Sequence, residues 1–170
     1  TRSPAPFMMP FENVKVQLVD TPPVTAELME TWFPEMVKMA DAVLLVADLA
    51  DPDTAATLDG VIGRLRERKV ELLRADADIP PPWSPFRKRT LLAANKIDVE
   101  GAAKAFDDLG VLLEGPFERL AVSAVSGRGL EALRRALFGL LHVVRVYSKI
   151  PGKKAEKDSP FALRTGSTVM

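Results

Sequence analysis

The sequence of 170 residues contains no cysteine, which removes disulfides, thiolate zinc sites and cysteine nucleophiles together. Its single histidine, His142, excludes a multi-histidine metal site or a relay of imidazoles. An excess of either charge is missing too: 23 Lys+Arg balance 23 Asp+Glu, for a formal net charge of zero. That argues against a domain-wide basic footprint for nucleic acid, so no DNA sequence recognition is expected, while a local basic patch stays open. Long apolar runs are absent as well. None approaches the roughly 20 residues that span a bilayer, and no signal peptide opens the chain. A soluble, cytoplasmic protein with no membrane partner is the expectation. What is present, 47% apolar and 27% charged residues, is the composition of a folded chain. The length suits one sizeable domain, or one domain with a fragment of a second.

Residues 1–13 carry Pro4, Pro6 and Pro10 without periodicity and read as an irregular arm. Residues 14–20 alternate and then become continuously apolar, which predicts a strand that Thr21, Pro22 and Pro23 stop. Residues 25–40 place Leu28, Trp32, Met36 and Ala40 at helical spacing, with Pro34 set to kink that helix or start a second one. The unbroken run 42–47 reads as a strand buried on both faces of a parallel sheet. Asp53 is a candidate cap for a helix whose inner face is Leu58, Val61, Ile62 and Leu65. Four prolines within 71–89 predict a long irregular excursion. A strand at 90–94, a helix over about 100–109 with Ala102, Ala103, Phe106 and Leu109 inward, and a short strand at 119–122 follow. A helix at about 127–141 carries the stripe Leu130, Leu133, Leu137, Leu140 and Leu141. Up to Val122 strand and helix alternate, the pattern of a doubly wound α/β sheet with ligands at the carboxyl ends of its strands. Strands at 143–148 and 161–164, joined by a lysine-rich turn, break that alternation and begin a second module.

Three short motifs end three candidate strands. In Asp20-Thr21-Pro22-Pro23, a strand-terminal aspartate suits a water of a magnesium ion, though such aspartates are common in plain turns. In Asn95-Lys96-Ile97-Asp98, the spacing suits guanine. A carboxylate accepts two parallel hydrogen bonds from N1–H and the exocyclic amine, a donor pair adenine lacks. The Lys96 stem can lie along the base while the Asn95 amide ties loops around it. The third motif is Ser123-Ala124, small residues before Gly127. They let backbone amides approach a base edge, and equally they serve as a simple helix entry.

Taken together, these motifs resemble the later motifs of a translation-factor-type GTPase domain. The wider stretches "VQLVDTPP", "ADAVLLVADL", "AANKIDVEGA" and "VSAVSGRGLEALRRALF" resemble the Obg and developmentally regulated GTP-binding protein (DRG) group. The tail "VRVYSKIPGKKAEKDSPFALRTGSTV" is similar to the opening of the TGS domain, a ubiquitin-like β-grasp module appended in that group. The resemblance covers nearly all of residues 14–170. It implies a P-loop NTPase-type (Ras-like) GTPase region at 1–142 and the start of a TGS module at 143–170. It also implies GTP or GDP as ligand and magnesium as cofactor. Asp98 would select guanine, Asn95 and Lys96 would shape its pocket, and Ser123 and Ala124 would touch its edge. Asp20 would hold magnesium through water, with Thr21, Pro22 and Pro23 on the phosphate side, and residues 21–40 would move with nucleotide state. The family's association with ribosomes suggests a ribosome or RNA partner, with Arg145, Lys149, Lys153, Lys154 and Lys157 as candidate phosphate contacts or as a solvated basic turn.

Departures from the pattern matter as much. A glycine-rich loop ending in Gly-Lys-Ser/Thr is needed to cradle phosphates, and Lys15, Lys38, Lys69 and Lys88 all lack its glycines. On alignment of "TRSPAPFMMPF" with the first switch, Thr1 is a candidate magnesium ligand. The strand that precedes the phosphate loop in the family lies between 14–20 and 42–48, so this chain is expected to leave a gap there and to be part of a longer one. Pro23 replaces the switch glycine that donates its N–H to the γ-phosphate, and proline has none. Val24 stands where Ras-like enzymes place a water-orienting glutamine, which many Obg-like proteins also lack. Slow hydrolysis, or a non-catalytic nucleotide-binding or RNA-docking module with a silenced switch, follows as the alternative. Trp32, Phe33 and Met36 read as helix core, Trp83 as loop packing or a partner anchor, and His142 carries no assigned chemistry.

Overall fold

The structure is a computed structural model that describes residues 3–79, 84–113, 117–149, 151–152 and 160–167. Thr1, Trp83, Lys153, Lys154 and Lys157 lie outside those residues. The chain begins with a hairpin, β1 (Ala5–Phe11) against β2 (Val14–Asp20), antiparallel with Ala5 opposite Asp20. The expected irregular arm is therefore a strand. Its prolines misled because Pro6 and Pro10 share one parity, so both nitrogens can face the open edge of a two-stranded sheet, where no ladder N–H is needed.

The main sheet is parallel. β3 (Ala42–Asp48) pairs along β5 (Arg87–Asn95), which also pairs with β4 (Glu71–Leu73) and with β6 (Glu118–Ala121). The proline-rich excursion is thus shorter than its composition suggests: β4 lies inside it, and β5 starts three residues before Thr90. Consecutive residues of the apolar runs face opposite ways. Leu45, Ala47, Leu92 and Ala94 pack toward α2 (Thr54–Glu67) and α3 (Ala102–Leu112). Leu91, Leu44 and Ala42 pack toward α4 (Leu130–Leu140), together with Met9 and Leu18 of the hairpin. Helices on both faces are what the continuous apolar strands require. β2 does not join this sheet, and it makes no ladder with β3. The strands 14–20 and 42–48 are thus not paired directly, and Val46 of β3 is 60% exposed.

Several helices differ from their expected spans. α1 (Trp32–Met39) begins only at Trp32, with Pro34 in its first turn where a missing N–H costs nothing. The stripe that started at Leu28 fails there: Leu28 is exposed, and the buried positions are Pro34 and Val37, with Phe33 against the same cluster. Asp53 occupies the N-cap of α2 without a side-chain cap bond; its own N–H instead donates to Asp51 Oδ1 at 3.0 Å. Ala103 is exposed, while Ala102 and Leu109 of α3 face the core. Beyond α4, His142 takes φ 48°, the left-handed residue that often follows a helix C-cap. β7 (Val143–Val146) and β8 (Phe161–Arg164) then form a separate antiparallel pair. That pair touches the hairpin: Arg145 bonds Glu12, and Asn13 Nδ2 donates to Tyr147 Oη at 3.0 Å.

Candidate functional site

The parallel strands converge on one rim. Leu91, Leu92, Ala93 and Ala94 are almost fully buried, so β5 is rigid up to Asn95, where the polar motif begins. β6 continues the arrangement: the Val122 N–H donates to Ala94 O at 2.9 Å and the Ile97 N–H to Val122 O at 3.1 Å. Two consecutive loops, one after each strand, are held edge to edge. Asn95 joins them directly, its Oδ1 accepting the Ala124 N–H at 3.0 Å.

Ser123 is fully buried and locks the second loop. Its Oγ accepts the Ser126 N–H at 3.0 Å, its N–H donates to Arg128 O and its carbonyl accepts from Gly127, both at 2.9 Å. Ser123 is thus committed to the loop's own frame, and Ala124, exposed, is the one that faces outward. Gly129 closes the same turn at φ 75°, and a Cβ there would sit 2.4 Å from Ala121 O. Only glycine fits.

On the first loop Lys96 has φ 69° and its Nζ donates to Asp48 Oδ2 at 2.6 Å. That hydrogen bond holds the Asp48 carboxyl below the ordinary carboxylate range, against the opposing effect of burial. Asp98 is exposed two residues further on. Asp48 was not singled out by sequence reasoning. Its signal was positional: in the parallel register it stands opposite Asn95, a carboxylate ending one buried strand beside the motif that ends the next.

The remaining motif stands apart. Asp20 ends β2 exposed, Thr21 and Pro22 are half-buried and Pro23 is exposed. Val24 packs with Phe33 and Met29 against Val37, Val61, Leu65 and Val70, anchoring the segment where it enters α1. α1 ends on a buried lysine: Lys88 Nζ donates to Lys38 O at 2.8 Å and to Ala40 O at 2.5 Å. Burial pushes its ammonium down from its ordinary value, opposed by the nearby Asp41 carboxylate. Among the described residues no group of three or more His, Asp or Glu could hold a metal ion. No helix among them is long and apolar enough to cross a membrane.

The chain matches no family model. Over 86 residues, 47% of the chain, it is 30% identical to an uncharacterised GTP-binding protein of Halobacterium salinarum. That stretch spans 22% of the relative's length. Among solved structures it resembles a crystal structure of a mutation variant of SsGBP, with TM-score 0.54 and 24% identity, over 79% of this chain and 45% of that one. The structural likeness shows the fold: a mixed α/β unit with a parallel sheet.

Proposed function

We propose that the chain supplies the base-reading and switch parts of a GTP-binding, GTP-hydrolysing switch protein of the Obg/DRG type. The observation that carries this reading is the Asn95–Ala124 bond, which ties together the two loops at the carboxyl ends of β5 and β6, with Asp98 exposed on the rim. In this reading Asp98 accepts the N1–H and amino group of guanine, and Asn95 and Lys96 frame the base. Ala124 approaches the base edge, with Ser123 as its support. The relative named as GTP-binding supports the ligand class. The open flank of β3 beside exposed Val46 supports a phosphate-loop strand that inserts between β2 and β3 from chain outside these residues.

Magnesium fits the residues present in one way. The ion keeps several waters and needs only one or two carboxylates plus substrate phosphates, so exposed Asp20 can hold it through water without a carboxylate cage. Thr1 is a second candidate ligand. When bound, the ion would neutralise charge on the phosphates. Residues 143–170 would be the start of a TGS module that meets a ribosome or RNA; of its candidate phosphate contacts Lys149 is described and exposed, while Arg145 is committed to Glu12 and to the Phe11 and Phe138 rings.

Pro23 favours a second reading, a non-catalytic nucleotide-binding or docking module, because it cannot donate an N–H to a γ-phosphate. Steady-state GTP turnover by the intact protein separates the two. The nucleotide reading itself is tested by Asp98→Asn. This variant should lose GDP affinity by about a hundredfold or more, the loss of two charge-assisted hydrogen bonds, and gain affinity for xanthosine diphosphate. Unchanged GDP affinity would overturn it.

A further inference from the structure

We propose that Asp48 is a positioning residue for base binding: it pins the Lys96 ammonium so that the lysine stem stands ready as a wall for a planar purine. The inference rests on the guanine-nucleotide reading above. Asp48 is itself fixed before it meets Lys96. Its Oδ1 accepts the Ala50 N–H at 2.9 Å, its own N–H donates to Thr54 Oγ1 at 3.2 Å at the start of α2, and Leu49 N–H reaches Asn95 O at 3.1 Å. The carboxylate therefore has one oxygen left, and Lys96 takes it. Lys96 leaves β5 through left-handed backbone at φ 69°, a conformation uncommon for a residue with a side chain. Its carbonyl is held by the Val99 N–H at 3.0 Å.

The pair is accessible, with side chains 45% and 43% exposed, so a ligand can reach the stem while the head stays tied. A free lysine surrenders much of its rotamer freedom when a ligand immobilises it. Here Asp48 imposes that order in the folded protein, and binding gains by it. The wall is blind to the base edge; edge selection belongs to Asp98.

GDP and IDP titrations of the intact protein in four forms test this: wild type, Asp48→Asn, Lys96→Met and the double variant. Asp48→Asn should weaken GDP about threefold to fivefold, the scale of a half-exposed ion pair. It should weaken IDP, which lacks the exocyclic amine, by the same factor. In the Lys96→Met background, Asp48→Asn should change nothing further. The same loss in both backgrounds would mean that the Asp48 side chain acts through Ala50 and not through Lys96, and would overturn the proposal. A loss confined to GDP, or no loss beside a strong preference for GDP over ADP, would also overturn it. A wild type without that preference would instead overturn the guanine reading.

Discussion

At the carboxyl ends of β5 and β6, buried Ala94 and Val122 lead straight into two loops that Asn95, Ser123 and Gly129 lock together. At the carboxyl end of β2, the exposed Asp20 leads into 21–31, a segment without helix or strand, on a hairpin that shares no ladder with the main sheet. The first region is held by its own hydrogen bonds, and the second by the apolar packing of Val24 and Met29 against the cluster that also seats α1. In the proposed reading this would be the division of labour of a nucleotide switch: selection of the base must not vary with state, while the responding segment must.

The largest expected effect sharpens that contrast through stability. Leu92→Ala, at a position 0% exposed, should cost about 3–5 kcal/mol in urea unfolding, whereas Leu18→Ala on the half-buried hairpin should cost under about 2 kcal/mol. Equal losses would dissolve the distinction. Gly129→Ala should come next, at about 2–3 kcal/mol, because both its φ and the Ala121 carbonyl oppose a Cβ; GDP affinity should fall with it.

The same contrast explains what could be read in advance. The rigid region was legible because its signals are local: continuous apolar runs at 42–47 and 90–94, then Asn95, Lys96 and Asp98 where β5 stops. Of the hairpin, β2 was legible at 14–20 and β1 was not, because Pro6 and Pro10 carry the chemistry of a loop and are tolerated only by an edge that pairing creates. β4 was hidden in a proline-rich segment, where three residues of pairing with β5 override composition. The Lys96–Asp48 contact joins residues 48 apart, and only the parallel register brings them together.

Lys88→Met probes the anchor of the loose region. It leaves the Lys38 and Ala40 carbonyls without their buried donor and should cost about 1–3 kcal/mol. Hydrogen exchange should rise in α1 and stay unchanged at 95–98; exchange rising in both would show that the regions are one unit. Pro23→Gly should lower stability by about 0.5–1 kcal/mol through backbone entropy, leave GDP affinity unchanged and raise GTP turnover by restoring an N–H. Turnover that does not rise would remove Pro23 from the account of the switch.

The smallest effect is a pH dependence. Because Lys96 lowers the folded pKa of Asp48, the pair's contribution is fully present above the ordinary carboxylate range and is lost as pH falls through the lower folded value. The stability difference between wild type and Asp48→Asn should therefore be flat from neutral to mildly acidic pH and shrink only in stronger acid. A difference already fading near pH 6 would contradict the assignment.

The central claim, that the rim formed by Asn95, Lys96, Asp98, Ser123 and Ala124 reads guanine, is tested most directly by comparing GDP with ADP on the intact wild-type protein by titration calorimetry. Binding of GDP at least about a hundredfold tighter is the predicted result, since adenine would leave the Asp98 carboxylate without its paired donors. Equal affinity for the two would contradict it.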